Sequence, residues 1–371
     1  MAGRSRLGAV VIGAGPAGLA TSRELVRRGI DHVVVERGRL AANWRACYDS
    51  LRLHTGKHLS MLPGRRFPRE TPLFPTRDDL VRYLEDYARA FGLPVREGVG
   101  AQEAVPVDGG WRVRLAGGET LETGAVVVAT GIMSNPYMPE IPGREEFRGR
   151  VLHSIAYKNP DEFRGRRVLV VGVGNSGAEI ASELGRAGVE VAISIRSGAN
   201  VVPLTLFGLP IQYFSWAIQP LPRPVRELIA ATVRRIGDAR RGPPPFPRPR
   251  HSPLDSIPLI GFRLVDAIRE GLVAMRGAPA AFTPDGMRFE DGASDPFDDV
   301  ILATGFRPAL GVLGGRVRTD ARGFALRTDR VRSADLPGLF FVGHNYDSTG
   351  GLRNIYRDAP LAAKTVAALA R

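Results

Sequence analysis

Only one cysteine, Cys47, occurs in 371 residues. An internal disulfide framework is therefore impossible, and so is the redox Cys-x-x-Cys pair that a disulfide reductase needs. A reducing, cytoplasmic setting is expected. Lysine is almost as scarce: Lys57, Lys158 and Lys364 are the whole set, so the formal net charge of +13 rests on arginine. Such a balance raises the question of a nucleic-acid partner. The arginines are spread along the chain, with one denser run over residues 223–250, and no zinc-finger, helix-turn-helix or RNA-binding signature accompanies them. No nucleic-acid partner and no metal site are expected; anionic small ligands such as dinucleotide phosphates suit the charge. No apolar run reaches the ~20 residues that a bilayer span requires. The basic-then-apolar start superficially resembles a signal peptide, but its apolar stretch holds a phosphate-binding turn and is expected to be retained.

Glycine and proline are plentiful, at 44 and 29, yet they fall singly and build no repeat. A length of 371 residues suits about two domains. Residues 7–12 read as a strand, 17–28 as a helix and 33–36 as a strand, which makes a βαβ unit. An amphipathic helix is expected over 78–91, with Leu80, Tyr83, Leu84, Tyr87 and Phe91 on one face. Strands follow at 111–115 and 121–129. A second βαβ unit then begins, with strand 167–171, helix 176–187 and strand 190–195. Residues 203–260 read as irregular, with an aromatic stretch, a basic helix-like stretch and a proline run. Strands at 300–303 and 339–343 and a closing helix at 361–369 complete the chain. The expected fold class is α/β, with two Rossmann-like dinucleotide-binding domains.

Both βαβ units carry G-x-G-x-x-G between strand and helix. In the first, Gly13 permits the tight turn, Gly15 lets a pyrophosphate approach the backbone, and Gly18 lets helix and strand pack closely, with Pro16 and Ala17 opening the helix. Phosphates sit where free helix N–H groups and the dipole favour negative charge. Glu36, 23 residues beyond Gly13, stands where a carboxylate binds ribose hydroxyls. Gly172, Gly174, Asn175, Ser176 and Gly177 repeat the motif, but the matching acidic place holds Arg196 beside Ser197. An arginine there either is merely solvated or takes the 2′-phosphate of NADP; no carboxylate competes for the place, which favours the phosphate. Two loops, one acidic and one basic, imply two dinucleotides, FAD at the first and NADPH at the second.

Between the loops, Phe147, Gly149, His153 and Tyr157 fill every fixed place of an F-x-G-x-x-x-H-x-x-x-Y/F pattern. This pattern resembles the fingerprint of class B flavin-dependent monooxygenases, the flavin-containing monooxygenase family. The stretches around Trp44 and Arg45, Tyr48 to His54, Leu62-Pro63, Phe67-Pro68, Phe74-Pro75 and Tyr83-Leu84-Glu85 resemble its YUCCA-like branch. Ala129-Thr130-Gly131 and Ala303-Thr304-Gly305 are similar to the two A-T-G segments of that family. Phe341-Val342-Gly343 with Gly351-Leu352 is similar to its C-terminal flavin contact, where a helix N-terminus would stabilise negative charge on reduced flavin.

The resemblance implies a glutathione-reductase-like flavoprotein. Its FAD-binding domain would be discontinuous, over 1–146 and 297–371, and its NADPH-binding domain would cover 147–296. A divergent segment at 203–260 is expected to carry part of the substrate specificity. Cofactor contacts are expected from the loop residues above and from Glu36, Arg37, Trp44, Arg45, Thr130, Gly131, Arg196, Ser197, Thr304, Gly305, Gly343, Gly351 and Leu352. His54, His153 and Tyr157 are the candidate catalytic residues. His54 stands where many family members place a flavin-contacting asparagine, and a neutral imidazole can both donate and accept a hydrogen bond. The implied reaction is FAD- and NADPH-dependent monooxygenation of a small molecule with O2 by way of a flavin hydroperoxide: N- or S-oxidation, or oxidative decarboxylation of a 2-oxo acid. An NADPH oxidase that releases hydrogen peroxide and a non-catalytic cofactor-bound sensor remain open. Residues 212–230 combine aromatics with arginines, as a membrane-surface helix does. Pro220, Pro222 and Pro224 interrupt them, which favours a lid, and no stable membrane insertion is expected.

Overall fold

The structure, a computed structural model, describes residues 6–249, 252, 254–347 and 349–369. The first five residues and Arg250, the end of the basic run, lie outside that set. The chain divides into two compact units. One comprises Met1–Ala46, Thr55–Asn135 and Phe306–Arg371; the other comprises Cys47–His54 and Pro136–Gly305.

The first unit is built on a seven-stranded sheet. Its centre is the strand Leu7–Ile12, in which Ala9, Val10 and Val11 have no exposure. It pairs in parallel with His32–Val35 on one side and Thr120–Val128 on the other, so that Ile12, Val35 and Val128 end level. A strand with both faces covered needs apolar side chains throughout, which is why its sequence does not alternate. On its far edge Thr120–Val128 serves two further partners: its first half pairs antiparallel with Gly110–Leu115, its last three residues in parallel with Leu339–Phe341. The helix Arg77–Ala90 opens with a capping box between Thr76 and Asp79. Leu80, Tyr83, Leu84 and Tyr87 are buried on its inner face. The closing helix is longer than its sequence suggests. It spans Gly351–Leu369, runs through Pro360, and buries Leu352, Ile355, Ala359, Ala362 and Val366.

The second unit carries a five-stranded parallel sheet in the order Ala274–Arg276, Glu190–Ser194, Arg167–Val171, Asp299–Leu302, Arg150–His153. Arg150–His153 is therefore an edge strand. Asp299 beside it has no exposed side chain and accepts from Arg150 Nε at 2.8 Å and also from Arg166. A three-stranded antiparallel sheet of Pro279–Thr283, Gly286–Phe289 and Ser294–Pro296 adds to this unit.

The boundaries expected at 146/147 and 296/297 fall at 135/136 and 305/306 in these units. The shift has a packing cause: Ile141 packs on the cluster around Phe147 and Phe282, and the Phe282 N–H donates to the Pro142 carbonyl at 2.8 Å. Residues 203–260 hold more regular structure than their composition suggests. They contain the helices Ile211–Ala217 and Arg223–Arg241. Pro220 and Pro222 fall in the break between these two helices, so residues 212–230 are interrupted as expected; Pro222 then caps the second helix and Pro224 sits in its first turn.

Candidate functional site

Both glycine loops have the geometry that a dinucleotide requires. Gly13 has φ +107° and Gly172 φ +108°, a region that β-carbons rarely permit. A Cβ on Gly18 would lie 1.8 Å from the Gly13 carbonyl oxygen, and one on Gly177 would lie 2.0 Å from that of Gly172. Gly15 and Gly174 differ from these: a Cβ on either meets nothing within 4 Å. The outer glycines are thus demanded by the fold, and the middle ones keep space open in front of the loop. Helices Pro16–Val26 and Asn175–Arg186 start at these loops without a side-chain cap and without an acid in the first turn. Their first N–H groups remain available to an anion.

The two positions expected to face ribose differ in charge. Glu36 accepts from the N–H groups of Ala14 and Gly38, each at 2.9 Å, and so sits against its loop. Arg37 is exposed. Arg196 and Ser197 lie exposed just beyond the strand Glu190–Ser194, and Arg196 has no carboxylate partner among the described residues. Asn175 is committed elsewhere: its amide donates to the Pro258 carbonyl at 3.1 Å and accepts from the Ile260 N–H at 2.9 Å. It thereby ties the end of the 203–260 segment to the second loop.

The remaining expected contacts divide between the units. In the first, Arg45 bonds to the Leu40 carbonyl at 3.1 Å and to Glu85, in the short helix Ala42–Arg45 that also holds Trp44. The Thr130 hydroxyl donates to the Ala309 carbonyl at 2.7 Å, and Gly131 beside it has φ +63° with open space around it. Gly343, at φ +84°, brings its backbone against Ala17, close to the first loop. Gly351 opens the closing helix, and Leu352 is buried. The second unit repeats the threonine device: Thr304 donates to the Tyr137 carbonyl, and Gly305 follows at φ +84°.

The three candidate catalytic residues all lie in the second unit. His153 is buried, and both ring nitrogens face backbone: Nε2 donates to the Gly305 carbonyl at 2.9 Å, and Nδ1 accepts from the Ile155 N–H at 3.2 Å. Burial holds its pKa below the ordinary value, against the opposing pull of the Gly305 bond. Tyr157 is fully buried and donates to Glu183 at 2.9 Å. Burial and then the Glu183 charge raise its pKa far above the usual phenol value. Both side chains thus commit their polar atoms to partners inside this unit.

His54 is only partly buried, and its Nε2 lies 2.7 Å from Glu179 Oε1. The Tyr48 hydroxyl donates to the other oxygen of the same carboxylate. Tyr48 in turn packs its ring 6.1 Å from that of Tyr157. Glu179 and Glu183 stand one turn apart on the helix that starts at the second glycine loop. Burial raises the Glu179 pKa, but the bond and charge of His54 and the bond from Tyr48 outweigh it, and the net direction is down. A carboxylate only accepts, so His54 Nε2 carries the hydrogen. In the neutral ring Nδ1 is then left as an acceptor. The imidazole does not offer the outside both roles, because its donor is already engaged.

The acids Glu179 and Glu183 escape sequence reading, as does the tie from Asn175. A signal did exist: two carboxylates four apart share one face of a helix whose opposite face carries the buried Ala178, Ala181 and Leu184.

No helix of the described residues is long and apolar enough to cross a membrane. Among them, no group of three or more His, Cys, Asp or Glu could hold a metal ion.

Known proteins share this organisation. The family described as pyridine nucleotide-disulphide oxidoreductase matches residues 10–202. Indole-3-pyruvate monooxygenase YUCCA1 of Oryza sativa subsp. japonica is 38% identical over 311 residues, which cover 81% of this chain and 77% of that protein. Indole-3-pyruvate monooxygenase YUCCA4 of the same plant is 36% identical over 336 residues, with 81% and 74% covered. The solved structure of a flavin-containing monooxygenase from Stenotrophomonas maltophilia is similar with a TM-score of 0.79 at 26% identity, covering 99% of both chains.

Two outcomes test this geometry. Gly15→Val is expected to leave the folded unit intact, since its Cβ meets nothing, yet to remove bound flavin; Gly18→Ala is expected to lose both fold and flavin. Flavin absorbance per chain and circular dichroism separate the cases, and a yellow Gly15→Val protein contradicts the loop assignment. Glu179→Gln is expected to lower unfolding free energy near neutrality by about 1.5–3 kcal/mol, the range for bonds to a charged group. A carboxylate whose folded pKa is depressed stabilises above its unfolded value near 4.5 and loses that contribution as pH falls through the folded value. The gap between variant and parent should therefore begin to narrow below about pH 4.5 and vanish below the folded value in chemical denaturation, and a gap constant with pH refutes a charged Glu179 carboxylate.

Proposed function

This chain belongs to the pyridine nucleotide-disulphide oxidoreductase family and, within it, to the flavin monooxygenases related to the plant YUCCA enzymes; from that we propose that it uses NADPH and O2 to decarboxylate a 2-oxo acid oxidatively. The observation that carries the substrate class is the identity of 38% to an indole-3-pyruvate monooxygenase over 81% of the chain. In this reading R–CO–COOH, O2, NADPH and a proton give R–COOH, CO2, water and NADP⁺. One oxygen atom enters the carboxylic acid and the other leaves as water.

The first compact unit is assigned to FAD and the second to NADPH. FAD, when bound, takes hydride from NADPH and supplies the electrons that activate O2. Gly13, Gly15 and Gly18 with the uncapped helix start would hold its pyrophosphate, and Glu36 its ribose. Gly172, Gly174 and Gly177 would hold the pyrophosphate of NADPH, with Arg196 and Ser197 at the 2′-phosphate. His54 is assigned a proton-holding role at Nδ1, with Glu179 and Tyr48 fixing its ring and tautomer. His153 and Tyr157 are assigned to positioning. The family's monooxygenase chemistry needs a site that excludes water and holds donors and acceptors in place before the reaction. A chain with a single, buried cysteine supports a reducing, cytoplasmic setting.

NADPH is expected to be preferred over NADH. Arg196→Ala should erode the ratio of kcat/KM values by roughly tenfold or more, since a charge-assisted bond to phosphate is worth about 1.5–3 kcal/mol. Equal constants for the two nucleotides in the parent protein would refute the assignment. The reaction itself is tested by incubating the FAD-loaded protein with NADPH and indole-3-pyruvate, phenylpyruvate, or amine and thioether substrates. NADPH loss, hydrogen peroxide and product mass are followed together. Acid product and CO2 in step with NADPH loss are expected from a 2-oxo acid. Oxygenated amine or sulfide products instead would move the substrate class, and peroxide equal to NADPH consumed under every condition would make the protein an NADPH oxidase.

A further inference from the structure

The segment between the second βαβ unit and strand Ala274–Arg276 presents apolar side chains outward in two separate devices. One is the hairpin of Thr205–Leu206 and Leu209–Pro210. Its turn residues, Phe207 and Gly208, both have positive φ, +51° and +78°. Tight hairpins of this kind favour asparagine and glycine, whereas a bulky residue in that region is strained. Phe207 nevertheless occupies it, 84% exposed, with Leu209 beside it 50% exposed. The Phe207 ring meets that of Phe214 at its edge, 6.4 Å between centroids, and otherwise faces water.

The other device is the helix Arg223–Arg241, none of whose residues is buried. At about 3.6 residues per turn, Val225, Leu228, Thr232, Ile236 and Ala239 fall along one face. All five are exposed, Leu228 to 67%. The Thr232 hydroxyl bonds back to the Leu228 carbonyl, so that face offers little polarity of its own. Arg235 and Arg240 flank the stripe on its two sides, exposed and without carboxylate partners among the described residues. The acids of the helix lie on the opposite side and are paired, Glu227 with Arg223 and Asp238 with Arg248. The helix thus turns its apolar stripe to water, bordered by positive charge alone.

We propose that residues 207–240 form a peripheral docking surface for an anionic lipid bilayer. Phe207 and Leu209 at the hairpin tip and the stripe through Leu228 and Ile236 enter the boundary between headgroups and acyl chains. Arg235 and Arg240 meet the lipid phosphates. Helices with an apolar face, cationic flanks and low overall hydrophobicity lie in the interface in this way, and adjoining basic residues add attraction to anionic lipid. Charge selects this occupant over a second copy of the chain: stripe-to-stripe packing would bring the unpaired arginines of two copies together with no acid between them. The attachment is superficial, in keeping with the lack of a spanning helix among the described residues. Its consequence is access to apolar substrates dissolved in the membrane.

The test uses the FAD-loaded full chain and sedimentation with two vesicle preparations, phosphatidylcholine alone and phosphatidylcholine mixed with phosphatidylglycerol. Binding to the mixed vesicles and at least tenfold weaker binding to the neutral ones are expected. Leu228→Glu and Phe207→Ser are each expected to weaken binding to mixed vesicles about tenfold, with flavin content unchanged. Leu326→Glu is the control, since it makes the same one-unit change in a net charge of +13 at an exposed apolar residue elsewhere. It is expected to bind like the parent. Equal loss in Leu326→Glu and Leu228→Glu would reduce the effect to bulk charge and overturn the proposal. So would failure of the parent to bind mixed vesicles at low salt. Light scattering that shows a dimer, dispersed by Leu228→Glu, without lipid binding would assign the face to a second copy instead.

Discussion

The constraint on which the rest depends is the approach of helix to strand at each glycine loop. A single β-carbon on Gly18 or Gly177 would collide with the carbonyl of the loop's first glycine, at 1.8 and 2.0 Å. Without that contact the helix could not begin directly over the strand, and its free N–H groups would not point into the space that Gly15 and Gly174 keep open. Dispersion and dipole act here over the same few ångströms. The close packing that stabilises each unit is also what aims positive partial charge at an anionic ligand. Because both units use the device, the proposed discrimination between FAD and NADPH is assigned to the residue beyond the next strand, Glu36 in one and Arg196 in the other.

Helix Asn175–Arg186 carries more than its loop. Asn175, at its first position, binds both sides of the backbone near Pro258 and Ile260. One turn on, Glu179 holds His54 and Tyr48; a further turn on, Glu183 holds Tyr157. A single rigid element therefore links the second glycine loop, the end of the divergent segment, the fingerprint tyrosine and the candidate proton-holding histidine. Burying two carboxylates on one helix face is costly unless each is met by donors. Tyr48 and His54 meet the first, Tyr157 the second. These bonds explain why a segment as short as Cys47–His54 belongs with the second unit.

The divergent segment follows the opposite logic. Elsewhere apolar stripes face inward, as on Arg77–Ala90, where the aromatic and leucine positions are buried. Helix Arg223–Arg241 leaves its stripe in water, and the hairpin before it tolerates a strained phenylalanine at its tip. Two features that lower stability in isolation, adjacent in the chain, point outward to something that completes them.

The amino-acid sequence by itself determined the parts that depend on local sterics and periodicity. Both glycine loops, their flanking strands and helices, and the contrast between Glu36 and Arg196 are readable because glycine is required wherever backbones touch or φ turns positive. Only the tertiary structure decided which side chains are engaged. His54 and Glu179 lie 125 residues apart in sequence, and Asn175 reaches residues more than 80 positions away. No pattern within a window of residues specifies such pairs; they follow from which helix faces which loop. The direction of an amphipathic helix is undetermined for the same reason: the sequence of residues 223–241 defines an apolar stripe, but whether that stripe meets a core or water depends on what the rest of the chain places beside it.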